Sequence, residues 1–320
     1  VLLQLSAAVA EEEESLVAMQ DCLARLDLGL ARARYGAWLG AIKPTLGGEC
    51  WQLKELRHPL LVWQERQEGG SAVVPVSLQI EPPLRVVAIT GPNTGGKTVT
   101  LKSLGLATLM ARAGLFLPCS GIPQLPWCDA VLADIGDEQS LQQNLSTFSG
   151  HVRRIARILE ALSSLGAAPV PALVLLDEVG AGTDPSEGAA LATALLQHLA
   201  NQVQLSVATT HFGELKALKY NDSRFENASV EFDEVSLRPT YRLLWGIPGR
   251  SNALAVARRL GLSEAVLGGA EQLLDAAKNV GEEGVHLLRR HLLRVALQEV
   301  AHRLGRLGGL NCATIIVLKK

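Results

Sequence analysis

The 320-residue sequence predicts an α/β fold, a mixed or parallel sheet flanked by helices. Three observations predict it. Short apolar runs alternate with helical patterns between Leu84 and Thr209. A glycine-rich turn joins one of those runs directly to a helical stretch. Hydrophobic residues make up 48% and charged residues 19%, which suits a packed interior rather than a disordered chain.

Taken in order, residues 1–43 read as helix, with Leu16, Met19, Leu23, Leu26 and Leu30 at helical spacing and no proline before Pro44. A turn-rich break at 44–48 follows. From Trp51 to Thr90 the pattern changes to apolar runs punctuated by Pro and Gly, as strands require: Leu60–Trp63, Val73–Val76 and Leu84–Ile89. Helices are expected over 96–113, 148–163 and 186–200, and strands over 172–176 and 205–209. Residues 251–260 and 263–278 again read as helical. Beyond Gly284 there are seven Lys/Arg and one acid, with Leu293, Leu297, Val300, Leu304 and Leu307 spaced like a coiled-coil seam. These shifts divide the chain at 1–43, 44–250, 251–283 and 284–320, the last a basic helical tail whose identity the sequence leaves open.

A formal net charge of −2 carries no global signal for nucleic acid, so any such contact would need a local patch. Five cysteines without a CxxC pair argue against a disulfide framework or a zinc site and fit a reducing cytoplasm. There is no membrane-length apolar run and no leader pattern. The chain opens on Val1 rather than Met, as a piece of a longer protein would.

Chemistry is concentrated in Gly91-Pro92-Asn93-Thr94-Gly95-Gly96-Lys97-Thr98, a complete Walker A pattern between an apolar run and a helix. Glycines let successive backbone N–H groups turn inward around phosphate oxygens, and the following helix adds its positive end. Lys97 brings a charge to the β- and γ-phosphates of ATP, and Thr98 a hydroxyl to Mg²⁺. Eighty residues later, Leu173-Val174-Leu175-Leu176-Asp177-Glu178 is an apolar strand ending in two acids. Asp177 is suited to hold the metal through water, and Glu178 to orient or deprotonate the attacking water. Gly180–Pro185 follows at once. Thr209-Thr210-His211 ends the next strand, where a parallel sheet gathers its site, so His211 is a second candidate catalytic residue that senses the γ-phosphate or positions water.

Walker A, Walker B, Gly-rich loop and His in that order resemble ABC-type P-loop ATPases. GPNTGGKT, Ser146-Thr147-Phe148, DEVGAGTDPSEGAALA and TTHFGELK together resemble the MutS family. ADIGDEQSLQQNLSTFSGH and YRLLWGIPGRSNALAVARRLGL are similar to its Smr-associated bacterial branch, known for endonuclease members and suppression of recombination. The likeness spans residues 10–278. It implies a homodimeric ATPase with two composite sites, in which Ser146 reaches the partner's γ-phosphate, Asn93 contacts phosphate and His211 is the switch histidine. Tyr241 falls near a base-stacking position of relatives; it is either an adenine-stacking residue or an ordinary half-buried aromatic. Residues 1–43 would end a helical lever joining the ATPase to a DNA clamp, and 251–283 would extend the dimer contact. The implied targets are branched or mismatched DNA, or stalled ribosomes. Where mismatch-repair members carry Glu three positions after the triplet, this chain has His151. No mismatch-reading domain and no DLHG-type nuclease motif occurs, so the endonuclease label of the family is not expected of this chain alone.

Two other function classes make demands that this sequence does not meet. A transporter nucleotide-binding subunit predicts LSGGQ shortly before the Walker B strand, where the chain reads Ser163-Ser164-Leu165-Gly166-Ala167-Ala168-Pro169. A non-hydrolysing module, locked as a dimer by nucleotide, is opposed by Glu178. The basic stretch around Arg289, Arg290, Arg294, Arg303 and Arg306 either binds DNA phosphates or is a solvated helix face.

Overall fold

The computed structural model describes residues 1–91, 96–136, 147–233, 238–247, 249, 253–259 and 261–275. Its elements are α1 (Leu2–Glu11), α2 (Glu13–Leu39), β1 (Thr45–Leu46), β2 (Trp51–Leu56), α3 (Pro59–Glu68), β3 (Val76–Ile80), β4 (Val86–Thr90), α4 (Lys97–Arg112), β5 (Ser120–Leu125), β6 (Ala130–Asp134) and α5 (Thr147–Ser164). They continue with β7 (Val170–Leu176), α6 (Pro185–Gln202), β8 (Val203–Thr209), a 3-10 turn (Glu214–Ala217), α7 (Leu218–Asn221), β9 (Phe225–Asp233), β10 (Arg238–Trp245), α8 (Ala253–Arg259) and α9 (264–275).

The chain forms two compact units, Val1–Ser251 and Asn252–Lys320. In the second, α8 and α9 are joined by Arg258, which donates to Glu264 at 2.9 Å and to Glu271 at 2.9 Å. The expected coiled-coil seam lies outside the described residues. No described helix is long and apolar enough to cross a membrane.

In the first unit a six-stranded sheet runs β10-β9-β4-β8-β7-β6, parallel except for the β9–β10 pair, beside a four-stranded sheet β1-β5-β2-β3. Strands buried on both sides alternate their faces. Val87, Ile89, Leu173, Leu175, Leu205 and Val207 pack with α4 and the small sheet around Trp51. Val86, Val174, Leu176 and Ala208 pack instead with α5 and α6 through Ile158, Leu162, Leu195 and Leu199. Gly105 lets α4 lie close to the sheet, since a Cβ there would meet the Leu175 methyl at 2.6 Å.

The helical start is broken once, at Glu12, and ends at Leu39, where Gly40 takes a left-handed φ of 63°. Only Gly36 and Leu39 of α2 are buried, so most of it stands clear of the sheet. Two expected strands differ in the structure. Leu60–Trp63 is no strand but the first turns of α3, because Pro59 supplies the preset φ of a first helical position and the next residues are polar helix formers. Val73 and Val74 likewise lie in a loop, and β3 begins only at Val76.

Candidate functional site

Parallel register collects the functional side chains at one edge of the large sheet. Ile89 pairs with Thr209, Leu176 with Ala208, and Asp134 with Leu176, so the ends of β4, β8, β7 and β6 lie side by side. The central strand β4 is followed by α4, and the chain then crosses to the far edge at β6 before walking back, which opens a crevice at the strand C-termini.

Gly91 leaves β4 with φ 131°, and Gly96, at φ 88°, is the N-cap of α4. Neither conformation suits a residue with a Cβ. Pro92, Asn93, Thr94 and Gly95 lie outside the described residues. Lys97, 2% exposed, donates from Nζ to the Gly91 carbonyl at 2.5 Å and lies 3.5 Å from His211 Nε2. Burial lowers the Lys97 pKa, while the carboxylates of Glu178 and Asp177 pull it back up.

The Thr98 hydroxyl donates to Asp177 Oδ2 at 2.8 Å. Asp177, 8% exposed, accepts at Oδ1 from the Thr209 hydroxyl at 2.5 Å, and that same hydroxyl oxygen accepts the Glu178 N–H at 2.7 Å. Glu178 is held at φ 49°, a left-handed backbone unusual outside glycine. Its Oε1 lies 3.5 Å from His211 Nε2. Lys97, Thr98, Asp177, Glu178 and His211 therefore form one contiguous cluster. The Thr98 hydroxyl and the Asp177 carboxylate within it are hard oxygens of the kind Mg²⁺ takes.

Beyond Glu178 the loop is fixed by backbone contact. A Cβ at Gly180 would meet the Gly188 carbonyl at 2.4 Å, and one at Gly188 the Gly180 carbonyl at 2.3 Å. Asp184 caps α6, accepting from the N–H groups of Ser186 at 2.9 Å and Glu187 at 3.1 Å.

Tyr241, at φ 61°, lays its ring against the last glycine of the loop, where a Cβ on Gly96 would be 3.0 Å from Cδ1. It borders a cavity of about 350 Å³ lined also by Leu61, Gln64, Val73, Val74 and Val99. Ser146 lies outside the described residues, immediately before α5. His151 Nδ1 lies 2.7 Å from Asp134 Oδ2, and Arg154 donates to the other oxygen of that carboxylate.

Three features escape a reading of motifs. Asp134 ends the apolar run Ala130-Val131-Leu132-Ala133, the same strand-then-acid signal as at Asp177, and is 2% exposed beside it. Thr209 looks like an ordinary strand residue, yet it ties Asp177 to Glu178. Gly249 packs on Gly91 from 158 positions away, a juxtaposition that only the folded β9–β10 pair creates.

A model of MutS domain V matches residues 87–278. Among curated proteins, the chain is 61% identical over 300 residues to an Endonuclease MutS2 of Synechocystis, covering 88% of this chain and 36% of that protein. It is 50% identical over 277 residues to the Endonuclease MutS2 of Shouchella clausii, covering 86% and 34%. For that of Symbiobacterium thermophilum the figures are 46% over 296 residues, covering 91% and 36%. The chain thus spans about a third of the length of these relatives. Cluster, sheet order and matched segment agree: the chain belongs to the MutS family and carries its domain V, a P-loop ATPase domain.

Proposed function

We propose that this chain binds MgATP at the Gly91–Thr98 loop and hydrolyses it to ADP and phosphate. The observation that carries the reading is the 2.8 Å hydrogen bond from the Thr98 hydroxyl to Asp177, which brings the phosphate-loop helix and the acidic strand tip to one point. Gly91, Asn93, Thr94, Gly95 and Gly96 would supply the N–H groups of the cradle, Pro92, which has none, would shape its turn, and Lys97 would exchange its bond to the Gly91 carbonyl for one to phosphate. Thr98 and Asp177 would hold Mg²⁺, whose charge, when bound, would offset that of the phosphates.

Glu178 would accept the proton of the attacking water as its oxygen bonds to the γ-phosphorus and the bridging oxygen leaves with ADP. His211, within 3.5 Å of both Glu178 and Lys97, would orient that water or sense the γ-phosphate. The cavity beside Tyr241 is apolar and opens next to Gly96, which supports an adenine subsite with the Tyr241 ring as a wall.

At the level of the whole protein, we read this domain as one half of a homodimer in which Ser146 reaches the partner's nucleotide. Residues 1–43 would be the lever, 44–250 the ATPase body, 251–283 the dimer extension and 284–320 a basic tail. Segments outside this chain would carry the substrate contacts: branched or mismatched DNA first, with stalled ribosomes as a further target, in the cytoplasm. The endonuclease name of the relatives is assigned to such segments rather than to this site.

Replacing Glu178 by Gln tests the core of the reading. ATP affinity is expected to stay within about twofold while turnover falls by roughly 10²-fold or more. Undiminished hydrolysis in a folded E178Q protein would overturn the assignment.

A further inference from the structure

The turn that follows His211 is tied to the start of the phosphate loop through a segment with no nucleotide-binding motif of its own. Lys216, in the 3-10 turn, donates from Nζ to the Gly249 carbonyl at 2.7 Å. The Gly249 N–H donates to Thr90 Oγ1 at 2.8 Å. Thr90 is 1% exposed and is the last residue of β4 before Gly91. Both polar groups of Gly249 are thus committed, one to each side of the site.

Gly249 is also packed tightly. A Cβ there would lie 3.1 Å from the Gly91 nitrogen, 3.2 Å from the Gly91 Cα and 3.2 Å from the Ser229 Cβ. The Lys216 end is anchored in turn, since its carbonyl accepts from the buried Asn227 side chain on β9 at 2.8 Å. Lys219 repeats the device one turn later, donating to the Gly246 carbonyl at 2.8 Å.

A glycine at φ 131° has many alternatives, and a phosphate cradle works only if its N–H groups stay aimed inward. We propose that Lys216 is a positioning residue for nucleotide binding: through the Gly249 carbonyl it holds Gly249 against Gly91 and keeps the entrance of the phosphate loop in register with the His211 turn. The proposal rests on the ATP-binding reading above and adds a residue to it. Lys216 itself touches no phosphate.

The test compares K216M, K216R, G249A and the control K97A in the 320-residue chain, using a fluorescent ADP analogue for affinity and steady-state hydrolysis for kcat and KM. K216M is expected to weaken ADP binding and raise KM by about tenfold, the loss of one charge-assisted hydrogen bond, with kcat within about twofold because saturating nucleotide re-forms the loop. K216R, which keeps a donor, should restore affinity to within about threefold. G249A should weaken binding by a similar factor, and the K216M/G249A double variant should be no worse than the poorer single one, since both act through one contact.

A purely structural lysine would lower thermal stability or the active fraction and leave KM of the folded molecules at the wild-type value. That result, or additive K216M and G249A losses, would overturn the proposal. If K216M does not fold, K216R and G249A decide the matter by the same criteria. The reading beneath it fails separately: K97A with wild-type ADP affinity would remove the nucleotide site itself.

Discussion

Lys97 carries its ammonium almost entirely out of water, against a carbonyl and a histidine ring. Burial outweighs the two carboxylates and depresses its pKa, so the neutral form becomes accessible at a less alkaline pH than for a solvated lysine. Phosphate favours the charged form. The sign follows: below the depressed value binding needs no proton at this site, whereas above it each nucleotide bound by Lys97 takes one up. ADP affinity should therefore decline as pH rises through that value, with net proton uptake seen by calorimetry in buffers of different ionisation heat. Uptake that is absent throughout the alkaline range would contradict this. At this scale the phosphate loop and Asp177-Glu178 are legible in the sequence because their chemistry tolerates few residue types at fixed spacing. Thr209 and Lys216 are not, because a strand threonine and a half-buried lysine gain their meaning only from neighbours far along the chain, and Asp134, though it ends an apolar run as Asp177 does, has no motif around it to mark it.

Helix α6 shows what a local signal does encode. Asp184, Pro185 and Glu187 spell an N-cap, a first-turn proline and an acid near the helix's positive end. The Ser186 hydroxyl and then the Glu187 and Ser186 N–H groups hold the Asp184 carboxyl below the usual carboxylate range. A depressed folded-state pKa contributes stability that is present above the unfolded pKa and lost as pH falls through the folded one. D184A should thus melt at a lower temperature than wild type at neutral pH, and the gap should close in acid below the depressed value. A gap that is constant across that range would show that the cap bonds do not respond to its charge. Helix α3 is the counterexample. A four-residue apolar run fits strand and helix alike, and Pro59 and Gly69, which bound the helix, also suit a turn. The path of β10 was equally hidden, because a register shift between Pro239 and Leu243 sets where Tyr241 meets Gly96.

The large sheet makes the first unit a single mechanical body, since alternate residues of β7 serve opposite layers. L175A removes a side chain that packs on α4, where it fills the space left by Gly105. A cost of about 2–5 kcal/mol is expected, and because Leu176 next door packs on the other face, both layers should fail together. Tryptophan fluorescence, to which the buried Trp51 contributes from one layer along with four other tryptophans, and far-ultraviolet circular dichroism should then give coincident transitions. Separated transitions would mean that the layers unfold independently. The layered architecture is readable from the order of apolar runs. The small sheet is less so, because β1 and β5 pair across nearly 80 residues with only two registered positions.

The left-handed backbone at Glu178 sets folding and chemistry against each other at one codon. Glycine would relieve the conformational cost there while deleting the carboxylate, so under the role proposed for Glu178 a protein inactivated in this way would accumulate normally and still occupy nucleotide. Screens that score only expression or heat tolerance would enrich such alleles. Inherited damage at the proposed catalytic side chain would then look, by every measure of soundness, like an improvement.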